Sequence, residues 1–402
     1  MLVFHIDVNN AFLSWESVER LKYPKNFKIL DLRRIPSAIG GNKENRHGII
    51  LAKSPPAKAY GIKTAETLHE ALKKCPQLII VPPRMEIYRK YSVQLMELLS
   101  HFSDTVEKYS IDEAFLDMSG TELLFGPPAT AAEYLRQTIY DELGFTVNIG
   151  ISTNKLLAKM ASDFEKPNKV HTLFPEEIPT KMWPLPVQKL FFVGQASHRI
   201  LYNLGIHTIG QLASAPISTL KSHLGRHGEL LYSYANGICP EPVCGETTEA
   251  KGYGNSTTLS YDVTDKTEAK SVLLTLCESV ASRLRKDNAA AGVISVTIKD
   301  FTFRSISHQH TLASPSNVTN ELFHHSCLLF DECWKGMPIR LLGVSTSRIT
   351  ETGMRQLNLL EQEKYLREEK LDSAIDSIRN RFGNDAIQRA SFLSTRPKKS
   401  GS

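Results

Sequence analysis

The sequence predicts an α+β protein built from several domains, and three observations lead to this prediction. Its 402 residues exceed one ordinary hydrophobic core, and 41% apolar with 23% charged residues is the composition of a folded chain. The first 173 residues alternate strand-like and helix-like segments. A helical stretch rich in Gly and Pro follows, and a second α+β unit begins near residue 253.

The first region has the order of a ferredoxin-like sheet, namely strand, helix, hairpin, helix, strand and helix. Its strands are expected at LVFHID (2–7), in two short runs around a turn within 105–118, and at FTVNIGIS (145–152). Its helices are expected near 9–20, 85–102, 129–142 and 154–164, the last of them ended by Pro167.

The remaining elements predict a helical segment and a second mixed unit. Short helices split by Gly205, Gly210, Gly225 and Gly228 are expected in 187–237, and the polar stretch 238–252 is interpreted as a linker. A helix over 266–286 then leads into a half-buried strand, 291–303, whose apolar and polar residues alternate. The tail carries a helix that is expected to place Leu371, Ile375, Ile378 and Phe382 on one apolar face.

Charge and cysteine content narrow the class of protein. The net charge is +5, and residues 12–83 hold 13 Lys and Arg against 6 Asp and Glu, whereas residues 253–350 hold 10 against 9. The early segment is therefore the better candidate for contact with phosphates, although a solvated lysine-rich surface would have the same composition. The six cysteines form no C-x2-C pair, so reduced thiols in a cytoplasmic protein are expected rather than zinc. Neither a signal peptide nor a membrane span is predicted.

Three acidic residues lie where strands end. Asp7 closes the first strand, and Asp112 with Glu113 lies between the two strands of the hairpin. Adjacent side chains on a strand point to opposite faces, so Asp112 and Glu113 reach one site only from a turn. Such carboxylates suit hard cations such as Mg²⁺, and two ions could activate a 3′ hydroxyl and stabilise a leaving pyrophosphate. Taken alone, the three acids are equally compatible with an ordinary surface.

The sequence around these acids closely resembles that of one protein family. YSIDEAFLDMSG (109–120), FHIDVNNAFLSWE (4–16) and VNIGISTNKLLAKMASDFEKPN (147–168) resemble, in order and spacing, the motifs of Y-family lesion-bypass DNA polymerases. The resemblance covers nearly the whole chain. The segment KSPPAKAYGIKT (53–64) is similar to the SOS-mutagenesis branch as much as to the DNA polymerase IV branch.

The resemblance implies a right-hand polymerase whose modules follow the regions above. It implies a ferredoxin-like palm (1–11 and 84–173), small fingers (12–83), a helical thumb with helix-hairpin-helix elements (174–242), a linker (243–252), an α+β little finger (253–350) and a C-terminal tail (351–402). It also implies that Asp7, Asp112 and Glu113 are catalytic metal ligands together with the backbone carbonyl of Val8. Two Mg²⁺ ions are the expected cofactor, with Mn²⁺ able to replace them.

The same resemblance assigns the nucleotide site. Phe12, five residues after Asp7, is placed as the ring that excludes a 2′ hydroxyl, and Lys166 as a contact of the triphosphate. Many members carry Tyr and Arg where this chain has Pro55 and Lys58, so the tyrosine hydroxyl and the arginine fork are absent. Lys58, helped by Lys53 or Ser54, is expected to bind phosphate instead. Ala11 is smaller than the aromatic residue usual before the ring.

Contacts with DNA and with a partner protein are implied further along the chain. Gly194, Gly225 and Gly228 are expected to offer backbone N–H groups to primer–template DNA, with an ordinary helical bundle as the alternative. QLNLL in the tail resembles the peptide by which bacterial polymerases bind the sliding clamp, through Gln356, Leu357, Leu359 and Leu360. Alternatively, QLNLL is the start of a C-terminal helix that packs on its own domain. A monomer with no membrane partner is expected.

Three functions remain in competition. The first is template-directed transfer of deoxynucleotides to a primer in DNA damage tolerance. The second is a palm-type nucleotide cyclase, which would have no need of a thumb, a little finger or a clamp peptide. The third is a catalytically weak DNA- and clamp-binding factor, which Pro55 and Lys58 favour and the three retained acids oppose, because clustered acids repel DNA.

Overall fold

The computed structural model describes residues 1–28, 31–41, 48–245, 250–351, 362–383 and 385–389. The described residues up to 245 form one compact unit, and those from 250 onward form another. All six cysteines lie in the described part and are free thiols. No helix in these ranges is long and apolar enough to cross a membrane.

The main sheet of the first unit has the strand order β5-β6-β1-β7-β8, counted over the described residues. Its strands are β1 (Val3–Val8), β5 (Val106–Lys108), β6 (Glu113–Asp117), β7 (Val147–Ser152) and β8 (Val170–Thr172). The central strand β1 is antiparallel to β6 and β7, and β8 is parallel to β7. The ferredoxin-like order is confirmed, with β8 as an edge strand that the sequence analysis did not identify.

Side chains of β1 alternate between two differently covered faces of this sheet. Phe4 and Ile6 belong to the large core formed with helices α1 (Ala11–Lys22), α4 (Met85–Leu99) and α6 (Pro128–Leu143). On the other face, Val3 packs with Phe115 and with helix α7 (Lys155–Ser162). Because residues of one parity share a face, Asp7 lies on the side that α7 covers. The fold therefore brings α7 to the acidic end of β1.

A smaller sheet and several short helices complete the first unit. The sheet β3-β2-β4 consists of β2 (Ser37–Gly40), β3 (Ile50–Lys53) and β4 (Ile79–Val81), accompanied by helices α2 (Pro55–Ala59) and α3 (Leu68–Lys74). Helix α5 (Glu122–Phe125) packs against α6. Helices α8 (Gln195–Asn203), α9 (Ile209–Ala213), α10 (Ile217–Leu224) and α11 (Arg226–Ala235) follow and bury a second apolar cluster that includes Leu201, Leu212 and Leu231.

The glycines of these helices divide into two kinds, which corrects the prediction that all four separate helices. Gly205 and Gly225 adopt φ of +75° and +59° in the turns between helices, a conformation that favours glycine. Gly210 and Gly228 lie inside α9 and α11. A Cβ on Gly228 would stand 2.3 Å from the Leu220 carbonyl oxygen, so this glycine permits close packing of α11 on α10.

The second unit is an antiparallel sheet in the order β11-β10-β12-β9, with helices packed against one face. Its elements are β9 (Gly252–Val263), α12 (Lys266–Lys286), β10 (Ala289–Asp300), β11 (Ser305–Ser316), α13 (Thr319–Cys333), β12 (Ile339–Glu351) and α14 (Gln362–Phe382). The predicted helix 266–286 is confirmed, and the strand predicted at 291–303 is β10. Strands β9, β11 and β12 and helix α13 were not individually predicted. The polar, glycine-bearing residues of β9 form an edge strand with one open face.

The tail helix α14 exists as predicted, but its predicted apolar face is wrong. Leu371, Ile378 and Phe382 are exposed, whereas Asp372 is 4% exposed. Asp372 and Asp376 accept hydrogen bonds from Arg285 of α12 at 3.1 and 2.6 Å. The partner surface of α14 is charged, and ion pairs therefore decide which face is buried.

Candidate active site

The carboxylates of Asp7 and Glu113 face one another across two neighbouring strands. Asp7 is the register partner of Glu113 in the antiparallel pair of β1 and β6, which places both side chains on the same face. Asp112 lies in the turn before β6, where its carbonyl accepts a hydrogen bond of 3.1 Å from the Val8 N–H. Adjacent residues of a strand point to opposite faces, but Asp112 lies in the turn and not in the strand. This constraint therefore does not separate the side chains of Asp112 and Glu113.

Each carboxylate has one oxygen engaged by a donor of the chain. Lys166 Nζ donates to Asp7 Oδ2 at 2.8 Å, Ser110 Oγ to Asp112 Oδ1 at 2.7 Å, and Lys159 Nζ to Glu113 Oε1 at 2.6 Å. Within the described ranges, the second oxygen of each accepts no hydrogen bond from such a donor. One oxygen per carboxylate is thus left for another ligand.

Burial raises the pKa of Asp7 to about 6. Lys166 opposes this rise, and the neighbouring Glu113 adds to it, since two close carboxylates repel one another when both are ionised. At neutral pH the Asp7–Glu113 pair therefore carries negative charge that is shielded from water and only partly neutralised by the lysines. Such a pair is stabilised by a bound cation.

The donor chemistry fits a hard divalent cation. The groups available are carboxylate oxygens of Asp7, Asp112 and Glu113 with the nearby Val8 carbonyl, and oxygen is the donor that Mg²⁺ prefers. Among the described residues, no three His, Cys, Asp or Glu side chains are grouped closely enough to hold an ion as they stand. The close pair is Asp7 with Glu113, while the Asp112 carboxylate is held by Ser110 in the turn before β6.

Two cavities adjoin the acids. The first, of about 170 Å³, is lined by Asp112 and Phe12 together with Val8, Asn10, Ala11, Leu51, Ala52, Lys53 and Thr64. Phe12 is fixed there by stacking on Tyr88, with ring centroids 4.7 Å apart and planes 10° from parallel. The Phe12 ring thus forms a rigid wall of a cavity that also contains a candidate metal ligand. Lys53 is held by Thr64 at 3.0 Å, and burial lowers its pKa, with a smaller contribution from Lys58.

The second cavity, of about 220 Å³, brings together the residues predicted to bind the triphosphate. Asp7, Lys58, Lys166, Ser54 and Pro55 line it with Asn9, Asn10 and Pro167. Pro55 lines this cavity, and its ring supplies no hydroxyl.

Ser54 has a structural use that the sequence did not reveal. It is fully buried, and its Oγ accepts from the Ala57 and Ser37 N–H groups and donates to the Ile35 carbonyl at 2.7 Å. Its hydroxyl therefore caps α2 and ties that helix to β2. This leaves the two lysines as the side chains of this cavity best placed to meet phosphate.

Sequence reasoning missed two residues of the site, His5 and Lys159. His5 is fully buried on the Asp7 face, its Nδ1 lies 2.8 Å from Ser162 Oγ, and burial lowers its pKa well below the usual value. Its Nε2 has no hydrogen-bond partner in the described part of the chain. Lys159 is 8% exposed within the otherwise uncharged run LLAKMAS. A lone lysine on a buried helix was the available signal, because burial requires a partner for its charge.

The remaining predicted sites lie away from the acids. Gly194 caps the N-terminus of α8 and is exposed, and Gly225 precedes α11. Gly228 is buried, and its N–H donates to the Gly225 carbonyl at 3.0 Å, which favours packing over contact with phosphate. The clamp-like residues Gln356, Leu357, Leu359 and Leu360 lie outside the described residues.

Comparison with known proteins gives consistent matches. The model of the impB/mucB/samB family matches residues 6–163, and that of the family's C-terminal domain matches residues 250–359. The chain is 44% identical to a DNA polymerase IV of Clostridium acetobutylicum over 99% of both chains. It is 37% identical to a DNA polymerase IV 2 of Bacillus subtilis over 98% of this chain and 94% of that protein. A solved chimeric Y-family DNA polymerase shares the fold, with a TM-score of 0.73 and 24% identity over 88% of this chain and all of the other.

Proposed function

The chain belongs to the impB/mucB/samB family and is a lesion-bypass DNA polymerase dependent on divalent metal, and from this premise we propose that Asp7, Asp112 and Glu113 form its catalytic centre. The observation that carries the assignment is the pair Asp7 and Glu113, which face one another from β1 and β6 while burial raises the pKa of Asp7. The comparisons favour polymerisation over the cyclase and the non-catalytic binding factor.

The carboxylates and the Val8 carbonyl would hold two Mg²⁺ ions, which Mn²⁺ could replace. When bound, the ions supply activation of the primer hydroxyl and stabilisation of charge on the transferred phosphate. Asp7 and Glu113 would each offer one carboxylate oxygen to a metal ion, at positions that the β1–β6 pair fixes. Little reorganisation of the chain is therefore needed when charge develops on the transferred phosphate. It also keeps one face of this site dry, through the complete burial of His5 and Ser162 behind the acids.

Lys166 and Lys58 would bind the triphosphate of the incoming deoxynucleotide. Both line the cavity that contains Asp7, and Lys166 divides its charge between Asp7 and Asp163 at 2.8 Å each. An incoming triphosphate carries more negative charge than either aspartate. Lys166 can therefore turn from Asp7 to phosphate, which releases Asp7 Oδ2 at the moment when the nucleotide arrives.

Phe12 would exclude ribonucleotides. Stacking on Tyr88 fixes the ring against one wall of the cavity that Asp112 also lines, so a sugar placed beside that acid meets an unyielding surface. The small side chain of Ala11 in the same cavity leaves extra room next to the ring. We infer a pocket that tolerates irregular base pairs while it rejects the 2′ hydroxyl.

Primer–template DNA would be bound by both units. In the first unit, the first turn of α8 after the exposed Gly194 would offer backbone N–H groups, whereas the N–H of Gly194 itself donates to the Phe192 carbonyl at 3.1 Å. In the second unit, the sheet face away from α12 and α13 presents small and hydroxyl-bearing residues, among them Gly254, Ser256, Thr297, Gly343 and Ser345 around a cavity of about 440 Å³. Short side chains of this kind allow a phosphate backbone to approach the sheet closely.

The module boundaries, the clamp contact and the cellular setting remain part of this proposal. Palm (1–11, 84–173), fingers (12–83), thumb (174–242) and little finger (253–350) are supported by the family match and by the separation of the two compact units. Residues 356–360 would bind a bacterial sliding clamp. We expect a monomer that works in the cytoplasm, where bacterial DNA lies.

Primer extension tests the catalytic centre. Wild type, Asp7→Asn, Asp112→Ala and Glu113→Gln are compared on a short primer–template with four deoxynucleotides and Mg²⁺. We expect each substitution to lower the rate at least about a hundredfold, the size of effect that loss of a transition-state electrostatic contact produces. Asp117→Asn is the matched control, since Asp117 lies at the far end of β6 and accepts from the Ser119 N–H. Wild-type rates in Asp112→Ala would contradict the assignment.

A further inference from the structure

Lys159 is a buried cation attached to one candidate metal ligand. It lies in α7 with 8% of its surface exposed, and its Nζ donates to Glu113 Oε1 at 2.6 Å and stands 5.7 Å from the centre of the Phe191 ring. Its neighbours on the helix, Ala158 and Met160, are buried. Leaving Glu113 would strand a buried ammonium ion, which costs far more than breaking a surface pair.

The donors on the other two acids are less firmly held. Lys166 is 35% exposed at its side chain and is shared with Asp163, and Ser110 is a neutral hydroxyl that rotates at little cost. Lys159 is 10% exposed at its side chain and forms its ion pair with Glu113. Of the three donors, Lys159 is therefore the one that keeps its oxygen occupied when a cation approaches.

We propose that Lys159 is a positioning residue that restricts Glu113 to one-oxygen coordination and thereby sets the preference of the site for Mg²⁺ over Ca²⁺. The inference rests on the proposed function, in which Glu113 is a metal ligand. Mg²⁺ requires near-ideal octahedral geometry and keeps several waters, so one oxygen from each carboxylate suffices. Ca²⁺ takes six to eight oxygens and readily uses both oxygens of one carboxylate. With Glu113 Oε1 occupied, the site denies Ca²⁺ that second oxygen.

Removal of Lys159 has two effects on cation binding, and the ratio of Ca²⁺ affinity to Mg²⁺ affinity separates them. Loss of a positive charge beside Glu113 strengthens binding of every divalent cation. Release of Oε1 strengthens binding of Ca²⁺ alone, because only the larger ion gains a second oxygen from the same carboxylate. The affinity for Ca²⁺ divided by that for Mg²⁺ cancels the shared effect and reports coordination by Glu113.

The experiment measures metal affinity of the full-length protein without DNA or nucleotide. Tb³⁺ luminescence, sensitised by protein aromatic residues, is titrated in wild type and in Lys159→Met, and bound Tb³⁺ is then displaced by Mg²⁺ or Ca²⁺. We expect the ratio of Ca²⁺ to Mg²⁺ affinity to rise about tenfold in Lys159→Met, within the range found when a residue supporting a metal ligand is removed. Lys159→Arg, which keeps a cation, is expected to retain the wild-type ratio.

Lys155→Met is the matched control. Lys155 lies one turn earlier on α7, is buried to a similar degree, and pairs with Glu107 at 3.1 Å rather than with a candidate ligand. Lys155→Met removes the same positive charge but releases no oxygen of Glu113. The ratio of Ca²⁺ to Mg²⁺ affinity should therefore stay at the wild-type value. Circular dichroism verifies folding of each variant, and Lys159→Leu, which likewise lacks a donor for Glu113, replaces Lys159→Met if the latter is unfolded.

The outcomes separate this inference from the active-site assignment. If Glu113→Gln weakens Tb³⁺ binding and Lys159→Met leaves the ratio unchanged, the role of Lys159 is wrong while the site stands. If Asp7→Asn and Glu113→Gln both leave Tb³⁺ binding unchanged, the proposed metal site is wrong and the inference fails with it. A raised ratio in Lys155→Met as well would show a general charge effect and would also refute the role of Lys159.

Discussion

Asp7 is expected to destabilise the metal-free protein, so Asp7→Asn should increase its stability while abolishing polymerisation. Burial raises the pKa of Asp7 from 3.8 to about 6. A difference of one pKa unit corresponds to about 1.4 kcal/mol, so ionised Asp7 costs the folded state about 3 kcal/mol at neutral pH. Asparagine has nearly the same shape and no charge, and removes this cost.

The sign of the pH dependence follows from the raised pKa. Between pH 3.8 and 6 the folded state binds more protons at Asp7 than the unfolded state, so stability falls as the pH rises through this window. The cost is fully present above pH 6 and absent below pH 3.8. The advantage of Asp7→Asn should therefore be largest at pH 7.5 and should shrink steadily as the pH is lowered towards 4.

Urea unfolding in EDTA checks this prediction. Trp15, which is fully buried in the first unit, serves as the reporter in a background where Trp183 and Trp334 are replaced by Phe. Added Mg²⁺ should stabilise wild type and not the variant, because a ligand stabilises only the state that binds it. A variant that is less stable than wild type at pH 7.5 in EDTA would refute the reasoning, as would a pH-independent difference.

Substitutions at Phe12, Lys166 and Gly228 test other parts of the site and the fold. Phe12→Ala should raise ribonucleotide incorporation relative to deoxynucleotide incorporation by roughly tenfold to a hundredfold, measured as the ratio of the two kcat/KM values. An unchanged ratio would show that the ring does not meet the sugar. Lys166→Ala should raise KM for the nucleotide about tenfold or more, and Lys166→Arg should restore much of the loss because it keeps the charge; equal effects of both would contradict a phosphate contact. Gly228→Ala should destabilise the first unit by about 1–3 kcal/mol in thermal unfolding, because its Cβ would lie 2.3 Å from the Leu220 carbonyl oxygen. Gly194→Ala, whose Cβ meets nothing within 4 Å, should cost less, about 1 kcal/mol at most, through the weaker N-cap of α8.

The three acids could be predicted as candidate metal ligands from the sequence because the motifs around them are local. Asp112 lies in the hairpin turn, Glu113 begins β6, and Asp7 lies near the end of a strand that the apolar run LVFHID indicates. Lys159 could not be assigned a role in the same way. Its partner Glu113 is 46 residues earlier in the chain, and only the packing of α7 on the sheet brings the two side chains within 2.6 Å.

The errors in the fold have a common physical origin. Strand β9 is an edge strand with an open polar face, so it lacks the apolar alternation that identified β10. Helix α14 was oriented by its apolar residues, yet it docks through Asp372 and Asp376 onto Arg285. Patterns of hydrophobicity predict which face is buried only when the partner surface is apolar. Ion pairing with a distant residue leaves no periodic trace in the sequence.

The strand order β5-β6-β1-β7-β8 has a consequence for the newly made chain. The first strand to be synthesised is the central one, and its two neighbours begin only at residues 113 and 147. At roughly 5–20 residues per second, β1 waits on the order of ten seconds or more for both partners to be made. Contacts of such long sequence separation form late, so the proposed metal ligands Asp7 and Glu113 can face one another only after β6 has been made. Translation products that end before residue 113 will therefore lack this pair of carboxylates.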